Sequence, residues 1–212
     1  METEGVYNFM NNPIPVAQKA LDSTVLLVTE DVNDKPLSFG SGFFIRDDLI
    51  VTNLHVVHGA KKCFAKLFGQ KKMYEVKGCI AIDPENDLIV LKVENFDVPM
   101  TPVNLDNSIP VYIGETVYAV GSPRGYEGTI SDGIISGIRE DNKLIQMTAP
   151  ISPGSSGGPV INSKGEVIGV SVESNNNAQN LNFAIPSIYV KKLIENVEEH
   201  TPRALLFAKL QD

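Results

Sequence analysis

Three side chains in this sequence, His55, Asp87 and Ser156, have the types and the settings that nucleophilic acyl transfer requires. Ser156 stands in Pro153-Gly154-Ser155-Ser156-Gly157-Gly158-Pro159, where glycines permit a bend tight enough to turn a hydroxyl outward. In such a turn the backbone N–H groups of Gly154 and Ser156 can converge on one point and stabilise the negative charge of a tetrahedral intermediate. Glycine-rich turns also make ordinary hairpins, so the assignment depends on what the rest of the chain supplies. His55 follows two apolar stretches, Gly40 to Ile45 and Leu49 to Leu54, and precedes Val56-Val57. Its imidazole is therefore held at the rim of a packed core, a placement suited to a general base. A lone histidine is more often structural or superficial, and His58 and His200 are read that way. Asp87 opens the aliphatic run Leu88 to Val93. An acid at the head of a buried run is costly unless a charged or hydrogen-bonding group meets it, and the His55 imidazole is the natural match.

The elements that must position these groups are almost all strands. After a short amphipathic helix over Pro13 to Asp22, the pattern gives a strand at Ser23 to Val28. Two β-favouring arms, Cys63 to Phe68 and Met73 to Ile82, turn at Gly69-Gln70, and Leu88 to Val93 completes a first barrel. A looser, proline-containing stretch near Pro99 to Asn107 reads as the crossover. Strands at 117–120, 129–138, 144–148, 158–161 and 167–172 follow, with Ser163-Lys164-Gly165 as a tight turn between the last two. This all-β pattern fits two six-stranded antiparallel barrels, the first over about 23–105 and the second over about 108–186, with His55 and Asp87 on one and Ser156 on the other. Ser187 to His200 changes to helical periodicity and offers Ile188, Leu193, Ile194 and Val197 as a stripe for the second barrel.

From about Pro15 to Tyr189 the chain resembles the trypsin-like peptidases of the HtrA/Deg family, which have the chymotrypsin fold. The resemblance rests on Gly-Ser-Gly-Phe at 40–43, Thr-Asn-Leu-His-Val-Val at 52–57, Asn-Asp-Leu-Ile-Val-Leu-Lys-Val at 86–93, Val-Gly-Ser-Pro-Arg-Gly at 120–125 with Gly-Thr-Ile at 128–130, Pro-Gly-Ser-Ser-Gly-Gly-Pro-Val-Ile-Asn at 153–162, and Leu-Asn-Phe-Ala-Ile-Pro at 181–186. It implies a serine endopeptidase with Ser156 as nucleophile, His55 as base and Asp87 as the acid orienting it, needing no metal or organic cofactor. It also implies polypeptide substrates, and loops at 32–35, 123–127, 140–142 and 174–180 that oligomerisation, a neighbouring domain or a bound peptide could reorganise. Two departures qualify it. The residue before the nucleophile is Ser155 where the family commonly has Asn; because it is not Asp, activation through a freed amino terminus has no acid to use. The 26 residues from Ser187 to Asp212 are too few for the peptide-binding PDZ domain that family members often carry.

The same resemblance locates the S1 pocket, which receives the side chain before the scissile bond. Its floor falls at Pro150, followed by Ile151, with no acid for a Lys or Arg side chain; Leu181 and Asn182 form the facing wall, and Ser171-Val172-Glu173 is the edge on which an extended substrate would pair. Small to medium apolar side chains fit such a space, with Glu173 as the group that could admit a basic one. A rival reading keeps the fold but uses the cleft and strand edge only to bind peptides.

Composition excludes several other classes. The net charge of −8 and the absence of a basic patch argue against nucleic-acid or anionic-membrane binding. No apolar stretch reaches membrane-spanning length, and the acidic Met-Glu-Thr-Glu-Gly start lacks the basic, then apolar character of an export leader, which favours the cytoplasm. Cys63 and Cys79 are too few for a disulfide framework and lack metal-ligand spacing, so they read as reduced core thiols.

Overall fold

Most of the β-branched and aliphatic runs become strands with both faces covered. The computed structural model describes residues 13–94, 96–105, 111–172, 181–195 and 203–204. In the first half, β1 (Thr24–Glu30), β2 (Pro36–Arg46), β3 (Leu49–Asn53), β4 (Lys62–Leu67), β5 (Met73–Asp83) and β6 (Leu88–Val93) lie in the order β5-β4-β1-β2-β3-β6, and β5 pairs with β6 to close the barrel. A two-residue strand near the C-terminus, Arg203–Ala204, pairs antiparallel with β5. In the second half, β7 (Asn104–Leu105) precedes β8 (Thr116–Gly121), β9 (Thr129–Arg139), β10 (Leu144–Met147), β11 (Pro159–Asn162), β12 (Glu166–Val172) and β13 (Asn182–Pro186). Strands β8 to β13 follow the order β11-β8-β9-β10-β13-β12 and close through β11–β12, while β7 runs parallel to β12 on its outer side. Both barrels are six-stranded and antiparallel.

Alternation of side chains along each strand explains three apolar clusters. On β6, Ile89, Leu91 and Val93 point into the first barrel with Phe44, Ile50 and Cys63. The other face of β6, Leu88 and Val90, joins Phe43 and Val51 against Val120, Ile161, Val167 and Val170, which come from β8, β11 and β12. The second barrel is filled by Val117, Ile135, Ile145, Met147, Val160 and Ile168. The middle cluster joins the barrels, so the cleft between them is set by packed side chains; β3, and β6 apart from Lys92, are buried on both faces and read as mainly apolar runs.

Helix α1 (Pro13–Ser23) buries Ala20 in this middle cluster, with Val16 and Leu21 packed beside it. The single-turn α2 (Leu54–Val57) follows β3 directly. Helix α3 (Ser187–Glu195) docks on both barrels, against β5 as well as β12 and β13. Its stripe is centred on fully buried Val190, with Tyr189, Leu193 and Ile194 alongside. The expected stripe took Ile188 and omitted Val190 and Tyr189, although Val190, Leu193 and Ile194 have the i, i+3, i+4 spacing of one helix face; Val197 and His200 lie outside the described residues.

Both cysteines are buried, and neither is in a disulfide. Burial pushes the Cys63 thiol up to about 12, so it stays protonated and unreactive at neutral pH. Replacing Cys63 and Cys79 together with Ala should leave catalysis within about twofold, with a lower melting temperature from lost packing. Mass spectrometry of the native protein should detect no disulfide between them; a stoichiometric one would overturn the assignment.

Candidate active site

Local chain geometry brings the acid to the base. The β5–β6 hairpin turns through Pro84 to Asp87, and the Asp83 carboxylate fixes that turn by accepting the Asn86 N–H at 3.1 Å and its side-chain amide at 2.7 Å. Asp87 itself is left-handed, with φ 51°, a conformation that Asp and Asn tolerate better than most residues. Its carbonyl accepts the Leu54 N–H and the Asn53 side-chain amide, both at 3.0 Å. Its carboxylate receives the His55 backbone N–H on Oδ1 at 2.9 Å and meets the His55 ring Nδ1 at 2.6 Å with Oδ2. Asp87 thus grips both the backbone and the ring of His55. The imidazole side chain is 48% exposed, so its other nitrogen has access to the cleft, while Val56 and Val57 of α2 are buried and anchor the turn. His58 is exposed.

The Ser156 turn is seated on the first barrel although it belongs to the second. The Ser41 N–H donates to the Ser156 carbonyl at 2.8 Å. Gly157, at φ 86°, packs so closely that an added Cβ would lie 2.1 Å from Thr52 Oγ1, 2.2 Å from the Ser41 carbonyl oxygen and 3.1 Å from Asn53 N. Ser156 is therefore one residue from a contact with the end of β3, and His55 is two residues beyond that end. Behind the turn, the Ser171 hydroxyl donates to the Ser155 carbonyl at 2.6 Å, and the backbone of Ser171 exchanges bonds with Gly157 and Gly158 at 2.9 and 2.8 Å.

At Gly154 the backbone is left-handed as well, φ 95°. The preceding carbonyl, on Pro153, accepts the Arg124 N–H at 2.7 Å. Because a trans peptide holds C=O and N–H in opposite directions, the Gly154 N–H is directed away from the 122–125 turn.

Of the pocket residues, Pro150 is exposed and its carbonyl accepts the Ser131 hydroxyl. Ile151 leans on the second-barrel cluster, and its N–H donates to the Asn182 side chain at 3.3 Å, so these two are joined. Leu181 is 37% exposed beside them in sequence. Ser171 is fully buried and committed to the nucleophile turn; pairing of β12 with β11 ends at Val170, while Val172 pairs on its other side with Phe183 of β13. Glu173 and the 174–180 loop lie outside the described residues. Ser41, Thr52, Asn53 and Ser122 were missed as site residues. Each lies in a motif that carries the family resemblance, and each is buried to 2% exposure or less. Among the described residues no three His, Cys, Asp or Glu side chains gather as metal ligands.

Residues 40–170, more than half of the chain, match the family model described as the trypsin-like peptidase domain. The chain belongs to the trypsin-like peptidase family. Its curated relatives include "Probable periplasmic serine endoprotease DegP-like" of Hahella chejuensis, 39% identical over 159 residues that make up 70% of this chain and 33% of that protein. "Protease Do-like 5, chloroplastic" of Arabidopsis thaliana is 34% identical over 185 residues, 76% of this chain and 57% of that one. The crystal structure of the serine endoprotease from Yersinia pestis superposes with a TM-score of 0.78 at 26% identity, covering 88% of this chain and 66% of that one. The chain thus spans between a third and three fifths of the length of these two curated relatives. The HtrA/Deg resemblance and the double-barrel trypsin-like fold hold as expected from the sequence.

Proposed function

We propose that this trypsin-like peptidase chain is a serine endopeptidase acting through an acyl-enzyme on unfolded or extended polypeptide. The observation that carries the reading is the two-point hold of Asp87 on His55, at 2.6 Å to the ring and 2.9 Å to the backbone, beside a glycine turn seated on the same barrel. With Nδ1 engaged by the carboxylate, His55 presents Nε2 as the base. It takes the Ser156 proton as Oγ attacks the peptide carbonyl, then returns it to the leaving amine; water attacks the acyl-enzyme by the reverse route. Asp87 stabilises the imidazolium that forms between the two transfers. The N–H groups of Gly154 and Ser156 receive the oxyanion.

Labelling with a fluorophosphonate tests the whole assembly, since it requires an activated serine and a formed oxyanion site. Stoichiometric modification at Ser156 is expected; an unlabelled protein that still binds extended peptides would establish the binding-only role in its place.

For the residue before the scissile bond, the proposal is Val, Ala, Ile or Leu. It is supported by the absence of an acid at Pro150 and Ile151 and by the aliphatic Leu181. Substrate would pair from Val172 onward, since the Ser171 backbone already bonds Gly157 and Gly158. Selectivity per methylene should be modest, about 1 to 3 kcal/mol. Cleavage-site mapping in a denatured protein should give these residues, and a dominant Lys or Arg preference would sink the assignment. Among the described residues no helix is long and apolar enough to cross a membrane. The cytoplasmic expectation gains no support from relatives whose names say periplasmic and chloroplastic. Assembly into a homo-oligomer, or control by a neighbouring domain, would act on this site through the 122–125 turn that holds Pro153.

A further inference from the structure

The peptide planes on either side of Gly154 are held from two directions, and Ser41 is tied to both. Its hydroxyl donates to the Gly154 carbonyl at 2.7 Å and accepts the Ser122 N–H at 2.9 Å. A hydroxyl has one proton, so a donor already directed at its oxygen leaves that proton aimed at Gly154. Ser122 in turn begins the turn from which the Arg124 N–H reaches the Pro153 carbonyl. One plane next to Gly154 is thus fixed by Ser41 directly, the other by a turn that Ser41 also holds. The space is tight: a Cβ on Gly154 would lie 2.7 Å from the Ser122 carbonyl oxygen and 3.0 Å from Arg124 N. Ser41 and Ser122 are 0% and 2% exposed, so water does not stand ready to replace the lost bonds.

We propose that Ser41 is a positioning residue for the oxyanion turn, fixing the direction of the Gly154 N–H from the opposite barrel without touching substrate. The proposal rests on the endopeptidase reading above. The hydroxyl is separable from the rest of the site. The other ties of Ser41 are backbone ones, its N–H to the Ser156 carbonyl at 2.8 Å and its carbonyl to the Thr52 hydroxyl at 2.7 Å, and these survive removal of Oγ. Without the hydroxyl, the Gly154 carbonyl and the Ser122 N–H lose a shared partner, and the turn satisfies them by rotating, which carries the Gly154 N–H away from the oxyanion.

The test compares wild type with Ser41→Ala and Ser41→Cys, the latter keeping the size of the side chain but hydrogen-bonding weakly. The rate of fluorophosphonate attack at Ser156, and kcat on a fluorogenic peptide taken from a mapped cleavage site, should fall on the order of 10- to 100-fold in the Ala variant, a part of the loss caused by deleting an oxyanion donor. The Cys variant should fall between. KM should stay within about twofold, because the bonds at issue act on the transition state. The acid limb of the pH profile should keep its position, since the His55–Asp87 pair is untouched. A merely structural role would lower the labelled fraction or the melting temperature while the folded molecules reacted at the wild-type rate. That outcome, or a shift of the acid limb together with the rate, overturns the proposal. Should the Ala variant not fold, the Cys variant decides on the same readouts. Wild-type protein that fails to label overturns the endopeptidase reading itself, whereas labelled wild type with an unimpaired Ala variant overturns only the role of Ser41.

Discussion

Ser156→Ala should lower kcat on an unfolded protein substrate by on the order of 10⁶, leaving the fold and the thermal midpoint nearly unchanged. The reason is that nucleophile, base and orienting acid form one proton-transfer unit, so losing the first member removes the use of the other two. His55→Ala should cost about as much, and the double variant hardly more than either alone. For Asp87 the informative change is Asn, expected to cost on the order of 10⁴ by favouring the wrong imidazole tautomer. Asn also keeps the left-handed backbone at φ 51°, which Ala would strain, so a loss in Asp87→Asn reports on the carboxylate and not on the turn. Circular dichroism and thermal melting of each variant separate these effects from misfolding. Wild-type turnover in Ser156→Ala would remove the assignment outright.

Gly157→Ala is expected to cost about 100-fold or more, for a reason that has nothing to do with proton transfer. The new Cβ would fall 2.1 Å from Thr52 Oγ1 and 2.2 Å from the Ser41 carbonyl oxygen, two atoms that are bonded to each other at 2.7 Å. It would intrude on a buried bond between β2 and β3, at the place where the Ser156 turn rests. Relief requires the turn to withdraw, and a misplacement of about 1 Å costs roughly 100-fold in rate. The left-handed backbone, φ 86°, adds about 1 to 2 kcal/mol of strain. Gly69→Ala supplies the control: its φ is 71° but nothing lies within 4 Å of an added Cβ, so it carries the strain without the clash. Fluorophosphonate labelling should be slowed about 100-fold or more in the first variant and be normal in the second. Equal effects in both would show that backbone strain, not displacement of the turn, is responsible.

The strands were legible because burial on both faces demands long aliphatic runs, as in Leu88 to Val93, and the turns because their glycines and prolines stand at fixed places. The three side chains proposed for acyl transfer could be picked out because each stands where a merely structural residue would be expensive or out of place. The parts that escaped share one property: their meaning lies in a partner far along the chain. The Ser41 hydroxyl meets Gly154 across 113 residues, and the Asn53 amide meets the Asp87 carbonyl across 34. The motifs around these polar groups mark the stretch, but nothing local says which distant group each one meets. The same holds for β7, whose two residues pair with β12 in parallel and carry too little pattern to announce it. Val190 was missed for a different reason: Ile188 was taken in its place, although Val190 is the residue at i, i+3, i+4 spacing with Leu193 and Ile194.

The division of the proposed site between the barrels also bears on when in folding an endopeptidase could become active. Each barrel contains hairpins of successive strands, β1 with β2, β2 with β3, β8 with β9, that can form early and separately. The bonds of Ser41 to Ser156 and Gly154 require both barrels to be closed and docked. During synthesis, His55 and Asp87 emerge long before Ser156, and a released chain with one open barrel has a nucleophile without a base. On the endopeptidase reading, a formed site would therefore come only at the end of folding, and a half-folded copy would lack it.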